Sequence, residues 1–107
     1  MLLAIFRPYL REKAKELIQD ERHWCRAYLA NDDDGLGADP TSEQAFKYCA
    51  LGALIAAAYQ LTNNETWAHE LARNALLPLC GSNTLVLVND HLGHAAVLAL
   101  FEKAIKL

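Results

Sequence analysis

Asp39-Pro40-Thr41-Ser42-Glu43-Gln44-Ala45-Phe46-Lys47-Tyr48-Cys49-Ala50-Leu51-Gly52-Ala53-Leu54 is the stretch whose reading decides the fold. Polar residues open it and small apolar residues follow at helical spacing. Two starts suit a helix here: Asp39 as N-cap with Pro40 at the first helical position, or Thr41 with Gln44 as a capping box. From either start the pattern runs to about Leu61. Ala45, Cys49, Gly52, Ala53 and Ala56 form a stripe of small side chains, and Leu51, Leu54, Ile55 and Tyr59 fill much of the rest. A helix apolar nearly all round belongs at the centre of a fold, and its small stripe admits a close neighbour.

Outward from this segment the chain reads as helix on both sides. Pro8 suits a first helical turn, and Leu10, Ala14, Leu17 and Ile18 recur between charged residues as one amphipathic face. Trp24, Cys25, Tyr28 and Leu29 continue the period, either in the same helix or in a second one after a break between Asp20 and His23. Asn31 to Pro40 is a loop by composition. Thr62-Asn63-Asn64-Glu65 reads as another capping box. It leads into the face Trp67, Ala68, Leu71, Ala72, Ala75, Leu76 and Leu79, which Pro78 and Gly81 end. Thr84 to Val88 has strand chemistry without a partner strand, so a buried extended connector is expected. The last helix starts between Asp90 and Gly93, burying Val97, Leu98, Phe101, Ala104 and Ile105. The expected fold is all-α: a compact orthogonal bundle of four or five helices with one short extended connector, forming a single domain over residues 1–107.

Composition agrees with that size and class. The chain has 107 residues, 53% of them hydrophobic, with only five glycines and three prolines, which favours an alanine-rich helical globule. A net charge of −3 with scattered basic residues disfavours nucleic acid, which calls for a dense Lys/Arg surface. No apolar run approaches a bilayer span. Met1 to Phe6 lacks the basic flank of a signal peptide. Three cysteines, Cys25, Cys49 and Cys80, are an odd set that suits reduced thiols in the cytoplasm. A short chain this apolar also suits a homodimer.

The ordered set Trp24-Cys25, Asp34-Gly35, Asp39-Pro40, Tyr48-Cys49-Ala50-Leu51-Gly52-Ala53-Leu54, Asn89-Asp90, Gly93, Val97 and Ala104-Ile105 resembles a family of small bacterial and phage proteins catalogued only as a domain of unknown function. The likeness extends from about Lys15 to Leu107, with His23 and Val88 standing where the pattern favours glycine and tryptophan. It implies a compact, mostly helical intracellular domain and carries no activity, cofactor or partner.

Candidate sites therefore come from chemistry alone. A nucleophilic thiol needs a base and the base an orienting group, which Cys49, His94 and Asp90 supply as a catalytic set. The objection is that Cys49 sits turns inside its expected helix, away from the helix N-terminus that activates thiols. The bland counterpart is Cys49 as core filler, Asp90 as N-cap and His94 as a first-turn surface residue. His23, Cys25, Cys49, Cys80, His91 and His94 are the residue types zinc takes, but their spacing lacks the paired Cys-x-x-Cys of structural sites. Asp32, Asp34, Gly37 and Glu43 fall at places of a calcium loop that Leu36, Asp39 and Pro40 spoil. No metal or cofactor is therefore assigned. Trp24 and Trp67 read as core anchors. The favoured function is binding of a partner protein or small ligand where Trp24, Cys25, Asp32, Asp34 and Asn89 converge with Cys49 and His94. A cysteine hydrolase or acyl transferase is the rival, and a zinc domain the third reading.

Overall fold

A computed structural model describes residues 2–107, so Met1 lies outside them. After a 3-10 turn over Leu2–Phe6, helix α1 (Arg7–Ile18) carries Pro8 in its first turn and buries Leu10, Ala14 and Ile18. The chain breaks after Gln19 into a short 3-10 turn over Glu21–His23, capped by the Asp20 side chain on Arg22 N. Trp24 to Leu29 is not helical, so it is neither a continuation of α1 nor the second helix expected after a break.

The largest correction concerns Asp39 to Cys49. Helix α2 spans Ala50–Thr62 and begins a full eleven residues after Asp39. Asp39 does accept from Thr41 N at 2.8 Å, but it closes a turn and not a helix. Phe46 N then donates to Asn31 O at 2.8 Å, which draws the segment into a ladder. The result is a three-stranded antiparallel sheet in the order β2-β1-β3, formed by β1 (Ala30–Asn31), β2 (Gly37–Ala38) and β3 (Lys47–Tyr48). Ala30 pairs with both Ala38 and Tyr48. The fold is thus mostly helical, close to the expected all-α class, with a small antiparallel sheet added.

Helix α3 (Glu65–Asn74) is capped by Asn64, whose Oδ1 accepts from Trp67 N at 2.9 Å. The expected capping box is displaced by two residues because Thr62 still belongs to α2. Ala68, Leu71 and Ala72 are buried as expected, but Trp67 is 55% exposed and anchors nothing. Helix α3 ends before Pro78, where arginines from α1 take its last carbonyls. Arg7 Nε donates to Asn74 O, and buried Arg11 donates to Ala75 O, Leu77 O and Ala104 O at 2.7–2.9 Å. Arg11 thereby pairs the carbonyls of Ala75 and Leu77 just past the end of α3, while Asn74 O and Ala104 O also accept from Leu77 N and Leu107 N.

Gly81 starts a helix instead of ending one: α4 covers Ser82–Leu87 and passes into a π-helical turn over Val88–Leu92. The expected extended connector is absent for a physical reason. Without a partner strand, only a helical turn pairs this segment's own backbone groups. Helix α5 (His94–Ile105) follows Gly93 and buries Val97, Phe101 and Ala104. Helix α2 packs against both α1 and α3, and α5 closes over α1. The core joins Leu10, Ile18, Leu54, Ile55, Leu71 and Phe101.

Candidate functional site

Three segments meet at one end of α2: the irregular stretch Trp24 to Leu29, Cys49 with the first turn of α2, and the π-helical turn. Asn89, only 1% exposed, is their common centre. Its Oδ1 accepts from Trp24 Nε1 at 2.7 Å and from Ala50 N at 2.9 Å. Its Nδ2 donates to Cys25 O and to Asp90 Oδ1, both at 3.0 Å. Every hydrogen-bonding position of the amide is therefore in use, and a buried amide is stable only on such terms. The wide π turn puts Asn89 and Asp90 on consecutive residues aimed into the same junction; such turns are frequent at functional sites.

Asp90 extends the network outward. Its Oδ1 also accepts from Ala27 N at 3.1 Å, and Ala27 is held at φ 72°, a left-handed conformation unusual for alanine. The Ala27 N–H, the Asn89 amide and then nearby cations keep the Asp90 carboxyl below the usual carboxylate range. Arg26 lies over the Trp24 indole, 5.1 Å from its centroid, and the His94 ring packs against the same indole with centroids 5.4 Å apart. Gly93 adopts φ 97°, and a Cβ there would lie 3.0 Å from Arg26 Nη2.

Cys49 is the N-cap of α2, at the helix start and not within the helix. Its Sγ accepts from Gly52 N at 3.3 Å, and its carbonyl accepts from Ala53 N. With Ala50 N on Asn89, the N-terminus of α2 has its donors engaged by the protein itself. Gly52 lets the Leu29 carbonyl approach so closely that a Cβ would fall 1.8 Å from its oxygen. At Gly52 the small stripe of α2 thus admits the backbone just before β1. Burial raises the Cys49 thiol despite the Gly52 N–H, and the Asp90 charge adds to the rise. Burial also pushes the Cys25 thiol up, to about 11, with the Cys49 charge contributing.

Between these groups lies a cavity of about 60 Å³, lined by Ala27, Tyr28, Leu29, Cys49 and Val86, with Asn89 and Asp90 as its polar members. Of the residues expected to converge, Trp24, Cys25, Cys49, Asn89 and Asp90 do so. His94 stands behind Trp24, where its Nε2 meets Ile18 O at 2.6 Å. A carbonyl only accepts, so Nε2 carries a proton. Among the described residues no hydrogen bond links Cys49 with His94 or Asp90. Asp32 and Asp34 lie elsewhere, beside a surface groove with Glu43 and Phe46. Asp32 Oδ1 accepts from Asp34 N and Leu36 N, both at 2.9 Å, and so shapes the β1–β2 turn. Among the described residues no three His, Cys, Asp or Glu side chains gather as a metal-binding group. Sequence reasoning missed Ala27, Tyr28, Leu29 and Val86; no side-chain signal marks an alanine for left-handed backbone.

Fold and site together define a small, mostly helical domain organised around a buried asparagine. The chain belongs to a family of unknown function, DUF6197, whose model matches residues 9–107. No curated protein and no solved structure matches it. No helix among the described residues is long and apolar enough to cross a membrane.

Proposed function

We propose that this protein is a cytoplasmic binding module that holds a partner protein by one small apolar side chain beside a basic group. The cavity next to Cys49 carries this reading. Ligand pockets for drug-sized molecules measure about 300–1,000 Å³, whereas this one is about 60 Å³. That volume suits an anchoring side chain and is too small for a cofactor. Tyr28 and Val86 line it and are 58% and 37% exposed, giving an apolar rim, and Asp90 supplies an ionised carboxylate for a Lys or Arg of the partner. Strain at Ala27, held by Asp90, supports a preformed surface.

Selection of phage-displayed peptides on the immobilised protein tests this. Peptides pairing a small aliphatic residue with Lys or Arg should be enriched, and Val86→Trp, a change at a partly exposed position, should abolish their binding. Equal binding to the Val86→Trp variant, or no enrichment, overturns the proposal. A second copy of the chain as occupant is read out by sedimentation, as a dimer that the same substitution dissociates.

The rival reading, a cysteine hydrolase or acyl transferase using Cys49, His94 and Asp90, draws support from the position of Cys49 at a helix N-terminus. It requires His94 to leave the Ile18 carbonyl. Rapid iodoacetamide labelling of Cys49 below neutral pH supports it, and labelling only in denaturant removes it.

A further inference from the structure

Two of the three cysteines each come one residue after a member of an isolated strand pairing. Trp24 pairs with Tyr48 in a parallel bridge, and Cys25 N donates to Tyr48 O at 3.1 Å. The next residues along both strands are Cys25 and Cys49. Paired strands lie about 4.7–4.9 Å apart, and successive side chains alternate between faces. Two cysteines one step beyond a parallel pair therefore leave the backbone on the same side, with Cα atoms about 5 Å apart, inside the disulfide range of about 4.4–6.8 Å. Both are buried, at 7% and 6% exposure, whereas Cys80 is set apart on the segment after α3 and is partly exposed. The electrostatic influence of Cys49 on Cys25 agrees with that closeness.

We propose that Cys25 and Cys49 form a reversible dithiol–disulfide pair. The oxidant is a low-molecular-weight disulfide. One cysteine thiolate attacks a sulfur of that reagent, forming a mixed disulfide and expelling one thiolate. The second cysteine thiolate then attacks the protein-side sulfur of the mixed disulfide and expels the other. Two electrons pass from the cysteine sulfurs to the reagent, and the two cysteine protons end on the two small thiols released. The new bond joins the Trp24 to Leu29 stretch covalently to the cap of α2, beside the Asn89 junction. Because Cys49 lines the cavity, oxidation changes that wall, which makes the pair a redox control of the site. Burial of the sulfurs makes oxidation slow, and the rate should rise with pH as thiolate forms.

The native protein incubated with 2-hydroxyethyl disulfide, quenched in acid, digested and analysed by mass spectrometry tests the pairing. The expected product is a peptide pair linked through Cys25 and Cys49, formed equally by the Cys80→Ser variant and faster as pH is raised. Linkage of either residue to Cys80 in preference, or mixed disulfides alone under conditions that fully oxidise the urea-unfolded chain, overturns the proposal. This readout does not depend on whether Cys25→Ser or Cys49→Ser variants fold.

Discussion

Replacing Asn89 by alanine removes the group that joins three segments, and its effect follows from the hydrogen bonds lost. Trp24 Nε1–H and Ala50 N–H lose their acceptor, and the Cys25 carbonyl loses a donor. A buried polar group left unpaired costs about 1–3 kcal/mol. Two orphaned donors and a carbonyl, partly relieved by water entering the vacated space, give a loss of about 3–5 kcal/mol. That is a large part of the roughly 5–15 kcal/mol that holds a domain together. Urea unfolding followed by circular dichroism measures it. Asn89→Asp provides a second arm, since it keeps both acceptor interactions but sets a carboxylate against Asp90 Oδ1 and Cys25 O. Its deficit should shrink as pH falls and the new carboxyl takes up a proton able to serve as donor. A loss below about 1 kcal/mol for Asn89→Ala, less than one unpaired buried group should cost, together with a pH-independent Asn89→Asp deficit, would refute the reasoning.

Other consequences are equally direct. Gly52→Ala should destabilise severely, by more than about 3 kcal/mol, because the Leu29 carbonyl leaves no room for a Cβ; Gly81→Ala, which meets nothing within 4 Å, should be mild in the same unfolding assay. Arg11→Met should cost about 2–4 kcal/mol by unpairing the carbonyls of Ala75 and Leu77, the Ala104 carbonyl keeping Leu107 N, and Arg11→Lys should recover little because an ammonium lacks the guanidinium fork. At alkaline pH the protein should lose stability from about pH 9 towards 11, since the unfolded Cys25 thiol ionises near 9.0 while the folded one holds its proton to about 11; Cys25→Ala should flatten part of that decline in denaturation midpoints. At acid pH the sign reverses for Asp90: its lowered folded value contributes stability above the unfolded carboxylate range, lost as pH falls through the folded value, and Asp90→Asn should weaken that dependence.

Helix faces made of repeated side chains were legible in the sequence. Leu10, Ala14 and Ile18, or Ala68, Leu71 and Ala72, announce buried stripes because periodicity alone places them. The segment from Asp39 to Cys49 misleads because Asp, Pro, Thr and Ser favour turns and helix starts alike. Its outcome is decided by Asn31 and Leu29, whose carbonyls take Phe46 N and Cys49 N across the chain. Thr84 to Val88 misleads in the opposite sense, since β-branched residues fold as helix once no strand is within reach. Within the site, Asn89 and Asp90 stood out as polar residues beside a helix start, and Cys49 as a thiol expected inside its helix, whereas it caps α2. Their partners did not, because Ala27, Ala50 and Leu29 contribute backbone and carry no side-chain signal.

Native-state hydrogen exchange at Trp24 Nε1 and Ala50 N tests most directly whether Asn89 holds the site together. Both protons should exchange only through global unfolding, at the rate of core amides in α2, and both should become fast in Asn89→Ala under conditions where that variant remains folded. Exchange at Trp24 Nε1 as fast as from a free indole in the unaltered protein would contradict the account.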